Sequence, residues 1–109
     1  MLLVREKKVD EAIVWLKRAA ERAPEIARYA YVYGVALSST GRTAQALDAL
    51  AGAAKRHPKD REILYALATM SRDAVRLQAA RSYAEKLAAV APDDPGVAEL
   101  LNVRELEKK

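Results

Sequence analysis

Residues 25–58 read EIARYAYVYGVALSSTGRTAQALDALAGAAKRHP, and this stretch decides the fold. Apolar residues recur in it at helical spacing, which predicts one helix over 25–40 and a second over 43–56. Gly41 lies between them and suits the left-handed conformation that often ends a helix. Pro58 ends the second helix, because proline disfavours helical geometry in the residue before it. The stretch is therefore predicted to be a helical hairpin.

The proline that ends the second helix and an alanine before it recur along the chain at a constant interval. The equally spaced prolines are Pro24, Pro58 and Pro92, and an alanine lies at the same distance before each of them, at Ala12, Ala46 and Ala80. A fixed period of this length is typical of stacked units that are each too small to bury their own apolar face. The period divides the single predicted domain, 1–109, into residues 1–24, 25–58, 59–92 and 93–109.

The other units extend the helical pattern. Further helices are predicted over 9–22, 61–73, 76–90 and about 95–107, with residues 1–6 as a short stub. In the first of these, Ala12, Ile13, Leu16, Ala19 and Ala20 are expected to face inward. Connections of two to four residues make neighbouring helices antiparallel. The predicted fold class is all-α, a row of antiparallel helical hairpins.

Four residues in the predicted turns are polar or conformationally restricted. Asp60 and Asp94 each precede a helix and are expected to cap it. Val75 stands where the middle unit has Gly41, so the turn there must either change shape or hold a β-branched residue at positive φ. His57 lies between Arg56 and Pro58 and is interpreted as loop filler.

Composition limits the classes of function. The chain has 109 residues, no cysteine and a net charge of +4, with each unit mildly basic and the tail 93–109 acidic. The lack of cysteine excludes disulfides, a thiolate nucleophile and cysteine-ligated metals. No apolar run approaches the length of a membrane span, and no basic block indicates a nucleic-acid partner. The compartment stays undecided.

No group of residues predicts chemistry. A catalytic base or a metal site needs converging partners, and the one histidine, His57, lies in a basic turn. Asp93 and Asp94 are explained by helix capping, and the four glycines are too scattered for a phosphate-binding loop. We therefore expect no catalytic, cofactor-binding or metal-binding residues, and no cofactor.

With these residues in place, the chain resembles the tetratricopeptide repeat family, whose period of about 34 residues is the interval between the prolines. Tyr33-Gly34 stands where the family has leucine-glycine, and the middle unit continues with Leu37, Gly41, Ala46, Leu50, Ala53 and Pro58. The third unit has Leu64, Leu67, Ala68, Ala80, Ala84 and Pro92, and the first keeps only its second helix. The resemblance implies two full repeats, a partial first repeat and a C-terminal capping helix, stacked as a right-handed superhelix.

The resemblance also implies a non-catalytic protein–protein interaction module with a concave groove for a peptide or helix. Carried over by position, the partner-binding residues would be Arg28, Tyr31, Val35, Ser38, Tyr65, Thr69 and Arg72. Weaker candidates for the same groove are Arg5, Ser39, Glu62, Asp73, Glu99 and Val103. Tyr31 and Tyr65 would be the anchors, with Arg28 and Arg72 as polar contacts. The positions that hold a terminal carboxylate in chaperone-docking members do not match, so that activity is rejected.

Two alternatives stay open. The first unit lacks most of its first helix, which would lie before Met1, so the face with Ile13, Trp15 and Leu16 is expected to be partly uncovered. Either the chain is part of a longer array, which we favour, or this face pairs two copies in a homodimer. The sequence of the second and third units, 25–58 and 59–92, is also similar to repeat tails of some bacterial multihaem cytochrome-like proteins. That likeness would make the chain an accessory segment of a larger enzyme or cytochrome.

Overall fold

The structure is a computed structural model that describes the backbone of residues 2–101 and the side chains of residues 7–98, 100 and 101. Over this range the chain is all helix and turn, as predicted. The helices are α1 (Leu2–Arg22), α2 (Ala27–Ser39), α3 (Thr43–Arg56), α4 (Arg61–Asp73), α5 (Leu77–Val90) and α6 (Pro95–Leu101). Helices α3 and α4 begin and end at the predicted residues. The predicted continuation of α6 to residue 107 lies outside the described residues.

Helix α1 is longer than expected. It begins at Leu2 and runs unbroken to Arg22, so the prediction of a stub over 1–6 and a helix start at residue 9 is wrong. The reason is local, because residues 2–22 contain no proline or glycine and are rich in good helix formers. Arg42 Nη2 also forms an ion pair with Asp10 Oδ1 at 2.6 Å, which ties α1 to the turn before α3.

The helices stack as antiparallel pairs around α4. Helix α2 packs on α3 and α4 packs on α5, while α2 and α4, the first helices of successive pairs, also contact each other. One face of α4 joins a cluster with α3, made of Leu47, Leu50, Ala53, Ile63, Ala66 and Leu67. Its other face joins α5 and α6, through Leu64, Ala68, Ala84, Leu87, Val97 and Leu100. This is the α-solenoid arrangement that the period predicts.

Two equivalent turns end α2 and α4. Gly41 has φ 81° and Val75 has φ 59°, both in the left-handed region. The hydrogen bonds also repeat, since Arg42 N donates to Leu37 O and Arg76 N donates to Ser71 O, each at 2.8 Å. The second turn therefore keeps the shape of the first, and the β-branched side chain at Val75 carries the strain.

Helix α1 is covered on one side only. It packs mainly against α2, so Ile13 and Leu16 are half-buried and Trp15 is 67% exposed. The partly uncovered face that the sequence predicts is confirmed. The inward position predicted for Ala12 is wrong, because its side chain is exposed.

Candidate functional site

Equivalent positions of α2 and α4 present two tyrosines to one cleft. Tyr31 is half-buried, and Tyr65, its equivalent one period later, is 44% exposed. They line a cleft of about 600 Å³ whose other lining residues are Arg61, Glu62, Leu87, Asp94 and Gly96. We call this the tyrosine cleft. It extends from α2 across α4 to the start of α6.

A glycine lets the ring of Tyr65 lie against the start of α6. A Cβ added at Gly96 would lie 3.2 Å from Tyr65 Cε2 and 3.2 Å from Asp94 Oδ1. Both distances are shorter than ordinary van der Waals contact. Any side chain at Gly96 would therefore press on the tyrosine ring and change the floor of the cleft.

Two ion pairs bridge successive units beside the tyrosines. Arg28 Nη1 lies 2.6 Å from Glu62 Oε2, and Arg61 Nη2 lies 3.0 Å from Asp94 Oδ2. The partners are 34 and 33 residues apart, so each pair joins one unit to the next. Exposed pairs of this kind contribute on the order of 0.2–1 kcal/mol each. Their larger consequence is that the charges next to the cleft neutralise one another.

The guanidinium of Arg28 takes part in two interactions. Besides its pair with Glu62, its guanidinium lies 5.8 Å from the centroid of the Tyr31 ring, within the range of a cation–π interaction. A carboxylate from a partner would therefore compete with Glu62 for this arginine.

The carboxyl of Asp94 accepts two hydrogen bonds at the start of α6. Its Oδ1 accepts a hydrogen bond from Gly96 N at 2.8 Å, and its Oδ2 accepts one from Arg61. The bond from the Gly96 amide, followed by the bond from Arg61, lowers the pKa of Asp94 below its ordinary value. Asp94 stays charged and joins the start of α6 to α4, while Asp60 caps α4 by accepting from Ile63 N at 3.0 Å.

The remaining predicted residues lie on the same helix faces but outside the tyrosine cleft. Val35 and Ser38 are half-buried on α2. Thr69 Oγ1 donates within its own helix, towards Tyr65 O and Ala66 O at 3.0 and 3.1 Å. Arg72 Nε lies 3.4 Å from Asp73 Oδ1. Among the weaker candidates, the side chains of Arg5 and Glu99 and all of Val103 lie outside the described residues.

Sequence reasoning misses the far end of the cleft. Arg61, Asp94 and Gly96 line it, whereas the sequence pattern presents Asp94 only as a cap. The sequence does contain a signal. Arg61 and Asp94 are 33 residues apart, one fewer than the period, and they follow the same order as Arg28 and Glu62, a basic residue and then an acidic one. What the pattern lacks is the direction of each side chain, which depends on how the units stack.

His57 does more than fill a loop. Its Nε2 lies 2.8 Å from Pro24 O, 33 residues earlier, and joins two successive inter-unit turns. Since a carbonyl oxygen can only accept, Nε2 must carry the proton. The interpretation of His57 as filler is therefore wrong, and the reason is that its acceptor belongs to the backbone of another unit.

The described residues contain neither a membrane-spanning helix nor a cluster of metal-binding side chains. Within residues 2–101, no helix combines the length and apolar character required to cross a membrane. Among the side chains of residues 7–98, 100 and 101, histidine, aspartate and glutamate form no group of three or more able to hold a metal ion.

Residues 27–70 match the family model described as "Tetratricopeptide repeat". The match covers α2, α3 and most of α4, and so includes Tyr31 of α2 and Tyr65 of α4. No curated protein matches the chain. A repeat of this family suggests a protein-interaction or scaffold module. Residues 27–70 are therefore similar to a tetratricopeptide repeat, and they lie at the centre of a stack of helical pairs.

Proposed function

We propose that the chain is a non-catalytic interaction module that binds a segment of a partner protein across α2 and α4. The observation that supports this most is the position of Tyr31 and Tyr65, which share one cleft although they lie a full period apart in the chain. Tyrosine offers a large apolar surface and a hydroxyl while losing little conformational entropy when it is immobilised. Such residues carry a large share of the energy in many interfaces.

The charges of the cleft indicate what kind of segment would bind. Arg28 pairs with Glu62 and Arg61 pairs with Asp94, so the lining is close to neutral. A neutral lining favours a segment recognised by apolar contact and by hydrogen bonds to the two tyrosine hydroxyls. In this proposal Arg28 and Arg72 act as polar contacts at the edge, where a partner carboxylate would displace Glu62 or Asp73.

The test begins with peptides selected from a random display library on the intact chain. Each peptide is titrated against the double variant Tyr31→Ala with Tyr65→Ala, and we expect at least about tenfold weaker binding. A matched control is Tyr29→Ala, because Tyr29 is exposed on the same helix but points about 200° away from Tyr31. Circular dichroism of each variant confirms that the helices are retained.

Unchanged affinity of the double variant for every selected peptide would contradict the proposal. Replacing both tyrosines by phenylalanine separates the contribution of the rings to binding from that of the hydroxyls. Loss in the alanine variant but not in the phenylalanine variant would assign the binding to apolar contact alone.

A second candidate function is self-association through α1. Trp15 is 67% exposed and Val14 is 49% exposed, which is a large apolar area on one turn of helix. The Arg18 guanidinium lies 5.4 Å from the Trp15 ring centroid. Sedimentation across concentration tests this candidate: a dimer that Trp15→Lys dissociates supports it, and a monomer at high concentration removes it.

A further inference from the structure

A second cleft, of about 580 Å³, lies between α3 and α5. Its apolar lining consists of Ala54, Pro58, Leu64, Tyr83, Ala89 and Val90, with Lys59 and Lys86 as its cations. We call it the lysine cleft. It opens on another side of α4 from the tyrosine cleft, because Leu64 and Tyr65 are consecutive and point about 100° apart. The two surfaces can therefore be tested separately.

The lysine cleft exists because two helices pack on a third without filling the space between themselves. Helices α3 and α5 each pack against α4. At this point they present Ala54 and Ala89, whose side chains are too short to close the gap. Leu64 of α4 lies beneath and is 1% exposed. The result is an apolar recess of a size that would accept the side chain of another molecule.

The edge of the recess is cationic. Lys59 lies in the connection between α3 and α4, and the Lys86 ammonium lies 5.4 Å from the centroid of the Tyr83 ring. In the described part of the chain neither lysine forms an ion pair. Lys55 and Arg56 follow Ala54 in the last turn of α3.

The nearby carboxylates are engaged elsewhere. Asp60 accepts from the amide of Ile63 at the start of α4. Glu85 Oε1 lies 3.3 Å from Arg81 Nε. Neither Asp60 nor Glu85 forms an ion pair with Lys59 or Lys86, whereas the arginines beside the tyrosine cleft are paired.

We propose that the lysine cleft binds an acidic amphipathic segment of a partner protein. The segment places an apolar side chain over Leu64 and between Ala54 and Ala89, and its carboxylates pair with Lys59 and Lys86. Two cations on separate elements match two carboxylates spaced along a peptide, whereas a fatty acid offers a single carboxylate. The proposal is independent of the tyrosine cleft.

The probe is a synthetic peptide of about twelve residues with leucines on one helical face and glutamates beside them. It is titrated into the ¹⁵N-labelled chain while backbone amide signals are followed. We expect shifts at Lys59, Lys86, Ala89 and Val90. Peptides with lysine in place of glutamate, or serine in place of leucine, are expected to bind at least about tenfold more weakly.

Substitutions at the exposed lining assign the site. The double variant Lys59→Glu with Lys86→Glu is expected to weaken binding at least about tenfold, and arginine at both positions is expected to retain it. Ala89→Arg adds bulk to the recess and keeps the charge positive, so weaker binding in this variant indicates insertion of a side chain. The variant Tyr31→Ala with Tyr65→Ala is expected to bind the probe like the wild type.

Several outcomes would overturn the proposal. Equal binding of the lysine peptide, or the absence of shifts at the four amides, would do so. Stronger binding by Ala89→Arg would show that charge alone attracts the probe. If dodecanoate shifts these amide signals and the glutamate peptide does not, the cleft binds a lipid and not a protein segment.

Discussion

Val75 and Gly41 occupy equivalent turns, and the residue type at these positions decides the local strain. Both have positive φ, and two of the hydrogen bonds that close each turn are equivalent, those donated by residues 41 and 42 and by residues 75 and 76. A Cβ at Gly41 would meet nothing within 4 Å, and Val75 is 74% exposed. Packing therefore matters little at either position, and the difference between them is one of backbone conformation.

Exchange of these residues should change stability in opposite directions. Val75→Gly is expected to raise the free energy of unfolding by about 1 kcal/mol, because the left-handed conformation costs a β-branched residue roughly 1–2 kcal/mol. Part of this gain is lost, because glycine increases the conformational entropy of the unfolded chain. Gly41→Val is expected to lower it by about 1–2 kcal/mol. Urea denaturation measures both changes. A decrease with Val75→Gly would contradict the assigned strain.

The bond from His57 to Pro24 is a second effect at the scale of a residue. His57→Ala removes the donor and leaves the Pro24 carbonyl without it, so the free energy of unfolding is expected to fall by about 1 kcal/mol. His57→Gln keeps an N–H donor at a similar distance along the side chain and should lose less. Equal stability of wild type and His57→Ala would show that the bond contributes nothing.

At the scale of helices, the two central pairs achieve close packing with different residues. Gly34 of α2 faces Leu50 of α3, and a Cβ at Gly34 would lie 2.5 Å from Leu50 Cγ. In the next pair the equivalent residues are Ala68 and Ala84, both fully buried. The leucine moves one turn along the helix, to Leu87. Leu50 and Ala53 of α3 thus correspond to Ala84 and Leu87 of α5, with the small and large residues exchanged. The exchanged order still packs tightly, because Ala68 has a Cβ that Gly34 lacks and requires a small neighbour.

This pairing predicts strong coupling between positions 34 and 50. Gly34→Ala is expected to lower the free energy of unfolding by about 1–3 kcal/mol through overpacking against Leu50. In a Leu50→Ala background the same substitution should cost less than about 0.5 kcal/mol, because the space is then open. A double-mutant cycle by chemical denaturation measures the coupling. Equal cost in the two backgrounds would show that Gly34 does not face Leu50.

The attachment of α6 depends on the charge of Asp94. Because its pKa is lower in the folded chain, the carboxylate contributes stability above its ordinary pKa of 3.8, and this contribution is lost as the pH falls through the folded value. Asp94→Asn retains an acceptor for the Gly96 amide but loses the attraction to Arg61. The variant should therefore be less stable than the wild type at neutral pH, and the difference should shrink in acid. A difference independent of pH would contradict this assignment.

At the scale of the whole molecule, stability depends on contacts between neighbouring units. Helix α4 buries one face against α3 and the other against α5 and α6. The ion pairs Arg28–Glu62 and Arg61–Asp94 and the bond from His57 also run from one unit to the next. Such a chain is a nearly one-dimensional array, in which each unit is supported by its neighbours.

The sequence predicts those features that depend on local pattern. The period, the helix ends around Pro58 and the left-handed turn at Gly41 follow from residue spacing and backbone preference, and all three are observed. The pattern underestimates the length of α1, because the charged residues before Val9 are good helix formers without an apolar period. The bond from His57 and the far end of the tyrosine cleft could not be predicted, since they depend on the offset between stacked units.

The central claim is that α2 and α4 together form a partner-binding surface anchored by Tyr31 and Tyr65. The most direct measurement is the ratio of dissociation constants for one library-selected peptide, taken between the Tyr31→Ala with Tyr65→Ala variant and the Tyr29→Ala control. We predict a ratio of at least about ten, because the two aromatic contacts with the partner are lost only in the first variant. A ratio near one, with both variants folded, would contradict the claim.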